Sequence, residues 1–146
     1  MLAQDGSSAR ARHGARELII KALYQWQLAD HSEAELREQF AGLPEFERID
    51  QDYFNDLLSA VFRDVERLDR GIAEQSDRQV EHVDAVSRAV LLLGLAELSG
   101  RDDVPTKVII NEAVELAKRY GPADCFRFVN AVLDGTAKRL ESRSLV

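Results

Sequence analysis

The stretch "AVSRAVLLLGLAELSG", residues 85 to 100, limits what this chain can fold into more than any other. Val86, Ala89, Val90, Leu91, Leu92, Leu93, Leu95 and Ala96 leave almost no polar face at helical spacing, and a helix that is apolar all round is a buried central one. Its uncharged middle, "AVLLLGLA", is far shorter than the roughly 18 to 20 residues that cross a bilayer. The segment therefore has to be enclosed by protein. A chain of 146 residues is long enough to enclose it within one domain, burying well over half of its unfolded surface. Only 3 prolines and 8 glycines interrupt it, as suits a helix-rich globule.

The flanking segments read as helices that supply the enclosure. Leu18, Ile19, Ala22, Leu23 and Trp26 recur at helical spacing, which predicts a first helix from about residue 9 to 29. "SEAE", Ser32 to Glu35, is a capping-box pattern that opens a short helix ending near Phe40, before Gly42 and Pro44. Phe54, Leu57, Leu58, Val61, Val65, Leu68 and Ile72 form one stripe of a long helix from about residue 50 to 75, with Gly71 as the expected bend. Asp84 is placed to cap the apolar helix. "TKVIINEAVELAKRYG" returns to an amphipathic pattern, with Glu115 set to pair with Arg119 and Gly121 as a C′ residue. Pro122 fits the first turn of a last helix. The only strand candidate, "KVII", is short and runs into helical spacing. The reading is an all-α fold of about six helices over residues 9–141, with a flexible N-terminal tail, 1–8, and a short C-terminal tail, 142–146.

The sequence offers little to an enzyme. Neither G-x-x-x-x-G-K-[ST] nor G-x-G-x-x-G occurs, so no phosphate-cradling loop supports nucleotide chemistry. His13, His31 and His82 are scattered without metal-ligand spacing, and Cys125 has no histidine near it. No catalytic residue, metal ligand or cofactor is assigned. The N-terminus lacks the apolar core of a secretory signal, and one cysteine makes no internal disulfide, so a reducing cytoplasm is the expected compartment.

Charge is distributed unevenly. The net charge is −7, yet residues 1 to 16 and 135 to 146 each carry +2, leaving −11 on the stretch between them. Basic ends on an acidic body suggest two partners of opposite charge. On a helical wheel with Arg10 at zero, Ile19, Ala22, Leu23 and Trp26 fall between roughly 120° and 220°. Tyr24 falls near 320° on the same wheel, opposite Trp26 and close to His13. Arg10, Arg12 and Arg16 with Tyr24 are read as turned outward, an aromatic ring for stacking on an unpaired base beside cations for phosphates. The plainer alternative, Tyr24 packed on a neighbouring helix, stays open at this point. A second candidate is "KRYGPADCFRF", where N–H groups at a helix start beginning at Pro122 could hold a phosphate and Asp124 would oppose it. Its alternative is a tight interhelical turn with charged caps.

These segments resemble a known family. "ARHGARELIIKALYQWQL" resembles the arginine-rich box followed by A-L-Y-x-W of the NusB family of transcription antitermination factors, and "VIINEAVELAKRYGPADCFRFVNAVLDG" resembles its second signature. "AVSRAVLLLGLAEL" matches the segment between them, so the resemblance spans about residues 9 to 140. It implies six to seven helices in two packed helical subdomains, without catalytic activity. It also implies binding of boxA-type single-stranded RNA of ribosomal RNA transcripts, together with the ribosomal protein NusE, RNA polymerase and other Nus factors. Carried over by position, the RNA-binding residues are Arg12, Arg16 and Tyr24, then Tyr120, Gly121, Asp124, Arg127 and Phe128; Arg10 and His13 join the RNA-binding set from the basic side of the first helix. The box is thinner than in members with three consecutive arginines, since His13 and Gly14 stand where basic residues are frequent. Ser87 replaces the usual glutamate of V-E-R, and Asn130-Ala131 replaces Asn-Gly. Three other readings follow from the same residues: a helical adaptor that binds only protein, the NusB-like N-terminal domain that some RNA methyltransferases carry, and self-association through an exposed first helix.

Overall fold

The computed structural model describes residues 2–144 of the chain, with side chains from 9 to 143. It contains six α-helices: α1 Leu2–Leu28, α2 Glu33–Ala41, α3 Gln51–Glu74, α4 Ala85–Gly100, α5 Thr106–Tyr120 and α6 Cys125–Ser144. Two 3-10 turns, Pro44–Arg48 and Val80–His82, join them, and no strand occurs among the described residues. The fold is all-α as the periodicity predicts. α1 starts ahead of the expected residue 9, and the side chains of the expected tail, 1–8, lie outside the described residues. At the other end α6 continues past residue 141 into the segment expected to be a tail.

The chain forms two compact helical units, residues 1–63 and 64–146. In the first, Ile19 and Leu23 of α1, Leu36 of α2 and Leu58 of α3 are buried, and Phe54 carries the edge of Phe46 at 5.3 Å and stacks on Phe40 at 6.3 Å. Trp26 is half-buried rather than central, meeting Phe62 edge-on at 5.2 Å. In the second unit α4 is surrounded, every residue from Ala89 to Glu97 being buried, with α5 and α6 packed on it. Each fully enclosed leucine or valine there is worth about 1.5 to 3 kcal/mol relative to exposure.

Helix starts follow local chemistry. Ser32 Oγ accepts from the Glu35 N–H at 3.1 Å, and the Glu35 carboxylate accepts from the Ser32 N–H at 3.1 Å, completing the capping box. Asp84 accepts from the Ser87 N–H at 2.9 Å to cap α4, and an ion pair of Arg88 with Asp69, Nη2 to Oδ2 2.7 Å and Nε to Oδ1 3.0 Å, ties α4 to α3. Three expectations are corrected. The irregular residue of α3 is Asp64 (φ −111°, ψ 17°), not Gly71. α6 begins at Cys125, not Pro122, because Asp124 takes a left-handed conformation (φ 65°) and its carbonyl accepts from the Arg127 N–H at 3.1 Å. Glu115 approaches Lys118, at 3.9 Å, while Arg119 lies against the Tyr120 ring.

Candidate nucleic-acid interface

In the unit of residues 1–63 the arginine box is built into the fold. The 3-10 turn delivers Asp50 to α1, where its N–H donates to the Ala11 carbonyl at 3.0 Å. Asp50 Oδ1 accepts from the Tyr53 N–H at 3.0 Å and so caps the start of α3, while Oδ2 meets Arg12 Nε at 3.5 Å. Tyr53 is buried, and both arginines face its ring: the Arg12 guanidinium stands 4.5 Å and that of Arg16 5.3 Å from the centroid. Arg16 Nη2 also donates to the Tyr53 hydroxyl at 3.3 Å.

The expected outward placement of Arg16 is therefore corrected: its side chain is 3% exposed and its charge is spent inside the unit. Arg12 is half-buried beside Asp50. The wheel carried this signal, because Arg12 and Arg16 fall near 200° and 240°, within and beside the apolar arc. Tyr24 does face outward, 41% exposed, with Arg10 exposed and His13 half-exposed near Glu17, Nε2 to Oε1 3.6 Å. Gly14 has a packing reason: a Cβ there would come within 2.7 Å of Ile49 Cγ2, where the 3-10 turn closes on α1. Tyr53 and Asp50 went unassigned in the sequence, although an aspartate three residues before a tyrosine at a helix start is a capping pattern.

In the unit of residues 64–146 cations stand against aromatic side chains of the first turns of α6. Lys118 Nζ lies 5.0 Å and Arg127 Cζ 5.8 Å from the Phe126 centroid, and Arg78 Cζ lies 4.4 Å above Phe128. Arg127 is 78% exposed and stands 4.0 Å from Asp124 Oδ1. Lys118, Phe126 and Arg127 form one group beside Asp124, Arg78 with Phe128 another, and Arg119 with Tyr120 a third. Gly121 is extended (φ −93°, ψ 172°) rather than left-handed, and it is required for another reason. A Cβ there would overlap Cys125 Sγ and lie 2.9 Å from the Ala117 carbonyl oxygen. The Cys125 thiol, raised above the ordinary thiol range chiefly by burial, points at that same carbonyl at 3.5 Å. The helix start expected at Pro122 lies at Cys125, and there the Cys125 and Arg127 N–H groups donate to the Pro122 and Asp124 carbonyls, each at 3.1 Å.

No group of three or more His, Cys, Asp and Glu gathers at metal-binding distance among the described residues, and no helix there is long and apolar enough to cross a membrane. The described residues define an all-helical protein in which aromatic rings stand beside cations in both units. The model of the NusB family matches residues 13–138. Over 134 residues the chain is 44% identical to the transcription antitermination protein NusB of Alcanivorax borkumensis, covering 92% of this chain and 89% of that protein. The solved structure of T. maritima NusB has a TM-score of 0.76 at 32% identity, covering 87% of this chain and 90% of that one. A crystal structure of the antitermination factors NusB and NusE in complex with dsRNA gives 0.75 at 27% identity, covering 89% and 98%. The chain belongs to the NusB family of transcription antitermination proteins.

Proposed function

We propose that this protein is a non-enzymatic antitermination factor that binds boxA-type single-stranded RNA of ribosomal RNA transcripts together with NusE, and so joins RNA polymerase and other Nus factors in the cytoplasm. The observation that carries this reading is membership of the NusB family across residues 13–138, in a fold shared with a NusB solved with NusE and dsRNA. On α1 the groups that reach RNA are Arg10, His13 and Tyr24, with Tyr24 offering its face to a base. Arg12 and Arg16 act from behind, fixing the angle of α1 through Tyr53. On the second unit Arg127 supplies a phosphate contact, with Tyr120, Gly121 and Phe128 beside it, and Asp124 weakens it. The acidic stretch between the basic ends attracts the basic partner.

A second reading, an adaptor that leaves RNA to its partner, gains from the burial of Arg16 and the pairing of Arg12 with Asp50, which remove two cations from the outer face. A fluorescence titration of labelled boxA RNA separates the two. Binding by this protein alone, strengthened when NusE is added, supports the factor; RNA binding by NusE that this protein does not change supports the adaptor.

A further inference from the structure

Within residues 64–146 a groove of about 230 Å³ opens between α3 and α6, away from the α5–α6 junction. Arg67 and Arg70 line it from α3, and Arg139 and Arg143 from α6. The spacings, three residues apart on α3 and four on α6, set each pair on one helix face. Glu74 is the only carboxylate in the lining, and it is paired with Arg139. The lining thus carries a net charge of +3 on a protein whose total is −7.

Two of the four arginines are not consumed by the fold. Arg67 reaches Asp64 at 3.2 Å, but Arg70 and Arg143 are exposed and make no ion pair or hydrogen bond to a described residue. Arg139 Nε is closed off from solvent without an acceptor. The two hydroxyls of the lining are turned inward, Ser99 to the Leu95 carbonyl at 2.9 Å and Thr136 to the Val132 carbonyl at 3.0 Å. What remains is a set of guanidinium forks over a floor of Leu68, Leu95 and Leu140. Guanidinium forks suit phosphate oxygens, and with no aromatic in the lining the groove has nothing to stack a base.

We propose that this groove is a phosphate site that seats the sugar-phosphate backbone of RNA flanking the boxA-type element, without regard to sequence. The inference rests on the RNA-binding reading above. A net charge of −7 disfavours dissolved polyanions, so an anion already tethered by a first contact elsewhere on the protein, its effective concentration raised, enters ahead of a dissolved one, which competes only in excess.

The test compares the full chain with Arg70→Ala/Arg143→Ala, whose side chains are exposed and support no partner, on a short boxA oligonucleotide and on the same element extended by a single-stranded uridine flank. The expected result is a loss of roughly three- to tenfold on the flanked RNA alone, with the salt slope reduced by about 1 to 1.5, near 0.7 for each phosphate no longer neutralised. Arg70→Glu/Arg143→Glu deepens that loss, and inorganic polyphosphate abolishes the advantage of the flank where polyglutamate does not. Equal affinity of the wild type and the alanine variant for flanked RNA overturns the site. An equal loss on the short oligonucleotide overturns its assignment to the flank, and equal competition by polyglutamate overturns its preference for phosphate. If the wild type fails to bind even the short oligonucleotide, the RNA reading falls and the groove proposal falls with it, an outcome distinct from the others.

Discussion

Arg16 donates to the Tyr53 hydroxyl at 3.3 Å with its guanidinium 5.3 Å from the centre of the same ring, and the two side chains are 3% and 2% exposed. This pair joins α1 to the start of α3 inside the unit, so its loss is felt first as stability. Arg16→Ala should lower the urea unfolding free energy by about 2 to 4 kcal/mol through poorer packing and a tyrosine hydroxyl left without its donor. Tyr53→Phe should cost about 1 kcal/mol. Equal stability of Arg16→Ala and wild type would contradict the internal role.

Tyr24 is the complementary case. Being 41% exposed, its replacement by alanine should leave unfolding within about 0.5 kcal/mol of wild type. Loss of one stacked base should weaken boxA RNA binding by roughly tenfold, about 1.4 kcal/mol. A titration in which Tyr24→Ala binds as tightly as wild type removes the base platform from α1.

Asp124 holds φ 65°, a conformation that asparagine tolerates as well as aspartate does. Asp124→Asn should therefore keep the turn while removing the carboxylate 4.0 Å from Arg127. RNA affinity is expected to rise about two- to fourfold at low salt, and the gain should shrink as ionic strength increases. A gain that persists unchanged at high salt would mean the effect is not electrostatic.

Gly121 and Cys125 are coupled by contact. Gly121→Ala brings a Cβ against Cys125 Sγ and should cost about 1 to 3 kcal/mol in thermal unfolding. Pairing it with Cys125→Ala removes the sulfur and should return part of that loss, leaving the approach to the Ala117 carbonyl. Strict additivity in this double-mutant cycle would argue against the overlap.

Glu35 supplies a pH signature. Its carboxylate is held below the ordinary glutamate range, first by the Ser32 backbone N–H and then by the Ser32 hydroxyl. A lowered folded pKa contributes stability above the unfolded value and loses it as pH falls through the folded one. Glu35→Gln keeps a reaching side chain but does not titrate there. The stability difference between wild type and Glu35→Gln should therefore narrow between about pH 5 and pH 3 in urea titrations. A difference constant with pH would exclude the carboxylate's charge as the source.

The features that sequence made legible are those set by neighbours within one helical turn. Asp84 before α4, the reciprocal Ser32 and Glu35, and the apolar circumference of α4 need no tertiary information. The outward Tyr24 was readable from helical angle alone. Arg16 was misread because a charged side chain is expected in water, whereas its partner lies 37 residues away and only the folded chain presents a tyrosine ring and hydroxyl to it. Gly71 stayed helical in α3 although glycine is the residue expected to bend, and the irregular turn fell at Asp64, where the aspartate ion-pairs with Arg67. Pro122 was compatible with a helix start, but the left-handed Asp124 resets the chain and delays α6 to Cys125.

The contact of Gly14 with Ile49 has a consequence for how such a surface can change over time. A stiff, branched side chain at 49 and any Cβ at 14 exclude one another at 2.7 Å, so a basic residue cannot enter position 14 alone. Adding a cation at position 14 requires a smaller partner at 49 or a displaced turn, so the two positions are coupled by contact. With that space filled, a cation is added to this surface without repacking only at positions whose Cβ already points to open water.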